Sequence, residues 1–429
     1  MKPPVAIVMN MFYTGMGVAR SLGEQGIPVI GLTAHRGIYG NFTRYATLRR
    51  SPDSRENPEA LLPFLLALGK ELDGKAIIFP TRDDDVLFLD RYREQLESRF
   101  LLAIPDRPAL EACLDKAETC RWAQAAGVPA PRTWTIESKE NLLRIAPELT
   151  FPCVMKPVSA HHWRKGANWQ MVGSRKAIAL SSLAELLAEY DTVARAESRA
   201  LLQEMVPGGD DSLWIAACYL DRQSKFIGGF TAQKLLQVPQ GMGTGCIVQT
   251  VDQPELLATA ARLLTTMKFS GIAEVEFKWD AASGQHKLIE VNARPWDQHR
   301  LGKICGVDVI HIAYCDLAGL ALPVIGKQKT GQKWIAEDTF CWLLLRTLWS
   351  RQGSIGSLLR LARGQRIYAI WSVRDPLPML GFLVMRFIPE LFMTFLRQLV
   401  SVVARPSAGK AAHKGELSYE NLERPNAKS

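Results

Sequence analysis

Four polar residues on two neighbouring apolar segments are the most conspicuous chemistry in this chain. The segments are Ile272-Ala273-Glu274-Val275-Glu276-Phe277-Lys278-Trp279 and Lys287-Leu288-Ile289-Glu290-Val291-Asn292. Residues 280–285 between them are rich in turn formers, which predicts an antiparallel hairpin. Strand alternation puts Glu274 and Glu276 on one face, and Glu290 and Asn292 together on the partner strand. Carboxylates and an amide oxygen converging on one face suit a hard cation such as magnesium. An ion that keeps open positions takes phosphate oxygens, so a nucleotide is the expected co-ligand. The bland alternative is a surface hairpin with solvated acids. The Ala293-Arg294-Pro295 that follows favours the metal reading.

A second feature is Phe151-Pro152-Cys153-Val154-Met155-Lys156, an apolar strand ending in a lysine. An ammonium at the end of a buried strand is costly unless it meets an anion. Further back, Asp115-Lys116 opens a helix that stops at Gly127, with Pro129 and Pro131 beyond it. Ala200 to Pro207 reads as a strand running into a turn, and the segment Thr231 to Gly245, with Lys234 and the glycines Gly241, Gly243 and Gly245, follows another strand.

Taken together, these segments resemble the ATP-grasp ligases, related to the ATP-grasp domains of carbamoyl-phosphate synthase and biotin carboxylase. The resemblance runs from about Leu110 through Arg294, roughly half the chain, and leaves the C-terminal quarter outside. It implies an ATP-dependent, magnesium-dependent ligase that joins a carboxylate to an amine through an acyl phosphate, with manganese as a possible substitute ion. It also implies roles. Lys116 and Lys156 would hold ATP phosphates. Gln203, Glu204, Met205 and Val206 would form the adenine hinge, and Asp211 would bind the ribose, although Asp210 beside it competes for that role. Glu276, Glu290 and Asn292 would bind the metal. Arg294 would grip the carboxylate or the transferring phosphoryl group, and Lys234 would meet the acceptor. One departure stands out. Where relatives carry a glycine-rich flap, residues 158–166 hold a single glycine, Gly166. His162, Arg164, Lys165 or Lys176 would then cover the phosphates. Loss of that flap also fits a different class of protein, a non-catalytic ATP-binding subunit of a membrane-associated assembly.

These groups need a scaffold, and 429 residues suffice for two or three domains. Residues 5–9, 26–32, 76–80 and 101–104 read as strands, the first of them a buried parallel strand joined to the second through a glycine turn and a helix. The G-x-G-x-x-G spacing of a dinucleotide site is absent. Asp83, Asp84 and Asp85 follow one strand and read either as ligand-facing acids or as a helix cap. The expected fold is α/β: an N-terminal parallel-sheet domain (1–110), a two-part ATP-grasp module (111–325, its small subdomain near 150–206), a basic helical extension (331–405) and a disordered tail (406–429). Residues 254–267 should form an amphipathic helix backing the hairpin. Eight scattered cysteines without a Cys-x-x-Cys pair argue for reduced thiols, and the apolar run at 5–8 is too short for a signal peptide, so a cytoplasmic protein is expected.

The net charge is +9, and residues from 331 onward carry 14 Lys or Arg against 7 Asp or Glu. Nucleic acid is not expected, because the basic part lacks aromatics interleaved on a sheet. The apolar run after residue 376 is interrupted by Arg386, Glu390 and Arg397, and reads as too short to span a bilayer. Arginine beside tryptophan and leucine suits peripheral contact with the inner face of the cytoplasmic membrane. A packed helical domain or a homodimer interface is the alternative.

Overall fold

The computed structural model describes residues 3–158, 163, 168–173, 175, 177–241, 243–350 and 353–394. The expectations placed on His162, Arg164, Lys165, Lys176 and the 406–429 tail lie outside those residues.

The first sheet is parallel: β1 (Ala6–Met9), β2 (Val29–Thr33), β3 (Thr47–Arg50), β4 (Ala76–Phe79) and β5 (Phe100–Leu102), in the order β3-β2-β1-β4-β5. β1 and β4 are buried at every residue, as strands covered on both faces must be, and their sequences are wholly apolar. After β1 the chain turns tightly into the helix Tyr13–Gly23. A Cβ on Gly15 would lie 1.8 Å from the Asn10 carbonyl oxygen, so only glycine fits this turn.

The second sheet is small and antiparallel: β6 (Thr133–Ile136), β7 (Cys153–Pro157), β8 (Ile178–Leu180) and β9 (Ala200–Glu204), in the order β6-β9-β7-β8, over its own core. It begins before residue 150, because β6 pairs along the edge of β9. The third sheet holds β10 (Leu213–Leu220), β11 (Phe226–Val238), β12 (Thr244–Thr250), β13 (Gly271–Asp280), β14 (Gln285–Asn292), β15 (Lys333–Ile335) and β16 (Arg366–Tyr368), in the order β14-β13-β10-β11-β12-β15-β16. The helix Pro254–Thr266 buries Leu256, Ala260, Leu263 and Leu264 in the same core as Ala273, Val275 and Phe277, so it backs the hairpin as expected.

The C-terminal region is helical over Glu337–Ser350, Ile355–Leu361 and Leu377–Thr394. It also does more than extend the molecule. β15 and β16 add the last two strands to the third sheet, and Trp334 on β15 is buried. Arg20 of the first helix donates to Asp375 at 2.8 Å, and neither side chain is exposed beyond 1%. The region therefore closes against both the N-terminal domain and the large sheet.

One expectation about it is corrected. Leu377–Thr394 is 18 residues with mean hydropathy 1.4, long and apolar enough to cross a membrane by length and composition. Arg386 and Glu390 are too few to lower that average. Only 17% of the helix is buried.

Candidate active site

β13 and β14 pair antiparallel, with Glu274 opposite Asn292 and Glu276 opposite Glu290. The register shifts just past Glu276, where Ile289 is the extra residue, so all four polar side chains stay on one face. Asn292 donates through Nδ2 to Glu274 Oε2 at 3.0 Å and to Glu290 Oε1 at 3.4 Å.

Two lysines reach this face from other elements. Asp115 caps the helix Lys116–Ala125 by accepting from the Ala117 and Glu118 amides, which fixes Lys116 at its first turn. Lys116 Nζ then lies 2.9 Å from Glu290 Oε2. Lys234, on β11, meets Glu276 Oε2 at 2.8 Å. Burial works against both ammoniums, but Glu290 and Glu276 outweigh it and each lysine sits above its usual value. Lys116 in turn holds the Glu290 carboxyl well below the usual range. Burial, then the charge of Glu276, pushes Glu274 the other way. The face thus packs three carboxyl groups that repel one another, with ammoniums relieving two of them.

That crowding fits a divalent cation. The donors are oxygens only, they share one face, and the excess negative charge is what a hard ion neutralises. In this arrangement the carboxylates turn toward the lysines, and among the described residues no group of three His, Cys, Asp or Glu closes around an ion. Glu276, Glu290 and Asn292 are the residues that would hold magnesium, and Glu274 lies within reach of the same position.

Lys156 differs from the other two lysines. Its Nζ donates to Gln203 Oε1 at 2.7 Å, and Gln203 Nε2 donates to Thr133 Oγ1 at 3.0 Å. Among the described residues no carboxylate pairs with it. Burial first, and the neighbouring Lys116 second, bring its pKa down to about 8. A half-buried ammonium facing a neutral amide and a second cation is a site for an anion. Lys156→Ala is accordingly expected to weaken ATP binding by about 1.5–3 kcal/mol, the size of a lost charge-assisted hydrogen bond. Calorimetric titration giving wild-type affinity would show that the lysine does not touch the nucleotide.

Gln203 and Glu204 end β9, and Met205 and Val206 lead away from it. Glu204 accepts from the Arg132 amide at 3.2 Å and pairs with Lys287 at 3.4 Å. Of the two candidate ribose acids, Asp210 is spent on structure, since its carboxylate accepts from the Gln237 and Gly241 amides. Asp211 is exposed and joins the neighbouring residues through its carbonyl, which accepts from Gln233. Arg294 leaves the hairpin and donates through Nε to Asp83 Oδ1 at 2.6 Å.

The sequence left Asp83 between a ligand-facing acid and a helix cap, placed Glu274 on the acidic face without a role, and did not mark Thr133. The acidic run divides its duties. Asp85 takes the capping role, accepting from the Thr81 and Arg82 amides, while Asp83 turns to Arg294. Alternation alone marked Glu274. Nothing local marked Thr133.

The three sheets, with the β13–β14 acids and Lys116, Lys156 and Lys234 brought together, give the fold of the ATP-grasp enzymes. The Campylobacter jejuni biotin carboxylase structure superposes with a TM-score of 0.60 over 76% of this chain and 74% of that one, at 18% identity. Among curated proteins, the D-aspartate ligase of Enterococcus faecium is 22% identical over 247 residues, covering 54% of this chain and 56% of that protein. D-alanine–D-alanine ligase B of Pseudomonas putida is 24% identical over 195 residues, 42% of this chain and 55% of that protein. The chain therefore spans about half the length of the curated relatives it matches. No family model matches it.

Proposed function

We propose that this protein is an ATP-dependent ligase that forms an amide between a carboxylate and an amine. The observation that carries the reading is Lys156, a half-buried cation with no carboxylate partner among the described residues, beside a face of carboxyl groups that wants a metal. Lys116 and Lys156 bind the β- and γ-phosphates. The Gln203–Val206 segment holds the adenine, and Asp211 the ribose. Magnesium, held by Glu276, Glu290 and Asn292, supplies charge neutralisation on the phosphate oxygens when bound. Arg294, aimed by Asp83, holds the carboxylate in line with the γ-phosphorus. A carboxylate oxygen attacks that phosphorus, the bond to the ADP oxygen breaks, and an acyl phosphate forms. The amine nitrogen then attacks the acyl carbon. The C–N bond forms, the C–O bond to phosphate breaks, and inorganic phosphate leaves with that electron pair while the nitrogen gives up a proton. Lys234, which meets Glu276 at 2.8 Å, stabilises the oxygen charge of this second step. The named relatives make D-aspartate and D-alanine the first carboxylates to try. Mass-spectrometric detection of ADP together with a new amide, across a panel of carboxylates and amines, tests the assignment. ADP without any amide would sink it.

We also infer peripheral attachment to an anionic membrane through residues 339–394. Leu377, Leu380, Val384, Ile388 and Phe392 recur at helical spacing, and all five are exposed, at 52, 56, 59, 56 and 60%. The opposite side, with Pro378, Gly381 and Phe382, packs on the protein. Arg346, Arg360, Arg363, Arg366 and Arg374 are exposed in the same region, whereas Asp375 is buried against Arg20. Basic residues beside exposed apolar ones complement anionic headgroups, at about 1 kcal/mol per basic residue. The protein should float with phosphatidylglycerol vesicles at about 0.05 M salt and be partly released at about 0.5 M, where charges are screened within a few ångströms. A protein that stays at the bottom at low salt, or that sediments as a dimer masking the stripe, would overturn the attachment.

A further inference from the structure

We propose that Gln203 and Thr133 are positioning residues of the nucleotide site: they hold the Lys156 ammonium on a neutral, one-way chain of hydrogen bonds, so that its charge is left for a phosphate group. This rests on the ligase reading above only in taking ATP as the ligand. In the small antiparallel sheet β6, β9 and β7 are neighbours. Thr133 on β6 stands directly opposite Gln203 on β9, and Lys156 on β7 stands opposite Leu201, one diagonal step from Gln203. Strand alternation therefore puts the three polar side chains on one face. The alternate residues Cys153, Met155, Ala200 and Leu202 turn the other way, into the sheet's own core. Burial of that apolar set fixes which face carries the polar row.

Each proton in the row has one place to go. An ammonium can only donate, and Lys156 Nζ gives a proton to Gln203 Oε1 at 2.7 Å. Gln203 Nε2 also only donates, and it meets Thr133 Oγ1 at 3.0 Å. The Thr133 hydroxyl passes its own proton to the Pro131 carbonyl at 3.0 Å, which can only accept. The Cys120 thiol donates to the same hydroxyl oxygen at 3.5 Å. Both ends of the chain thus dictate one orientation of the Gln203 amide. Reversed, it would set an NH2 group against the ammonium. Gln203 is 5% exposed, so these bonds stand in for water at both of its polar atoms. Its backbone stays with the adenine segment, and its side chain serves the phosphate end. The neutral partner sets this lysine apart. Lys116 meets Glu290 and Lys234 meets Glu276, each a carboxylate that compensates an ammonium. An amide oxygen fixes the ammonium's place and leaves its charge uncompensated. The groups that act on Lys156 from other elements are Lys116 and Cys120 on one helix, Glu290 on β14 and Glu276 on β13.

The test is calorimetric titration of the full-length protein with ATP and magnesium, with a thermal melt of each variant alongside. Gln203→Glu, nearly the same in shape, gives Lys156 a carboxylate partner and sets a negative charge before the phosphates. It should weaken ATP binding at least about tenfold at neutral pH, the size of a lost charge-assisted contact. Thr133→Val frees the far end of the amide and should weaken binding about 3- to 10-fold, and Thr133→Ser should restore it. The wild type should lose ATP affinity as pH rises through about 8, where Lys156 gives up its proton. In Gln203→Glu that loss should move to higher pH, because a carboxylate keeps the proton on the lysine. A residue that only supports the fold would lower affinity equally at every pH. Wild-type affinity in Gln203→Glu, or a pH midpoint that does not move, would overturn the proposal. Should Thr133→Val fail to fold, Gln203→Glu decides alone. A wild type that binds ATP but forms no amide would remove the ligase reading and leave this one standing, whereas a wild type that binds no ATP would remove both.

Discussion

Glu290→Gln should reduce magnesium-dependent ADP production by about 10²- to 10³-fold, the loss typical when one preorganised electrostatic partner of a transition state is removed. The substitution keeps the side chain's shape and its place opposite Glu276 on the hairpin. It removes the negative charge that Lys116 meets at 2.9 Å and that the metal would share. Lys116 and Lys156 then face each other with less compensation, so nucleotide phosphate is held by charge but without its ion in place. The fold should be unaffected, because Glu290 is partly exposed and its backbone stays in the β13–β14 ladder. A coupled ADP assay with a parallel thermal melt checks both halves. ADP production within a few-fold of wild type, with an unchanged melt, would remove Glu290 from the metal set.

Asp375→Ala should destabilise the protein by about 3–5 kcal/mol, the cost of leaving a buried charge without its partner. Arg20 is wholly inside the protein, and it donates to Asp375 Oδ2 as well as to the carbonyls of Ala369, Ile370 and Asp375. Asp375 also accepts from Thr43 Oγ1 at 2.6 Å and from the Arg44 amide at 2.9 Å. Alanine leaves Arg20 Nε, Thr43 Oγ1 and the Arg44 amide without their acceptor, while the Arg20 bonds to the three carbonyls remain. Against a stability of about 5–15 kcal/mol, that is a large fraction of the whole. Replacing both members, Arg20→Met with Asp375→Leu, should recover much of the loss, since an apolar pair avoids burying a lone charge. Denaturant midpoints of the three proteins measure it. A midpoint for Asp375→Ala equal to wild type would mean that the C-terminal region is not locked to the N-terminal domain through this pair.

These two sites also show what a single sequence reveals. The hairpin was legible because Glu-x-Glu and Glu-x-Asn sit in apolar strands of period two, and the turn between them is short. The helix Pro254–Thr266 was legible from its spacing. What stayed hidden are contacts between residues far apart in the chain. Arg294 and Asp83 are 211 positions apart, and Arg20 and Asp375 are 355. No local pattern encodes such pairs. β15 is three residues long, too short for any periodicity to register, yet it lets the C-terminal region complete the large sheet. The composition of Leu377–Thr394 could be read directly. Which side of it remains uncovered depends on Tyr39 and Phe42, contributed by a turn more than 300 residues earlier.

The measurement that bears most directly on the proposed chemistry follows oxygen atoms. The protein is incubated with ATP, magnesium, an amine and carboxylates labelled with oxygen-18, and the inorganic phosphate and amide are analysed by mass spectrometry. Passage through an acyl phosphate predicts that each turnover moves one labelled oxygen from carboxylate to phosphate and yields an equal amount of amide. ADP released with unlabelled phosphate and no amide would contradict it.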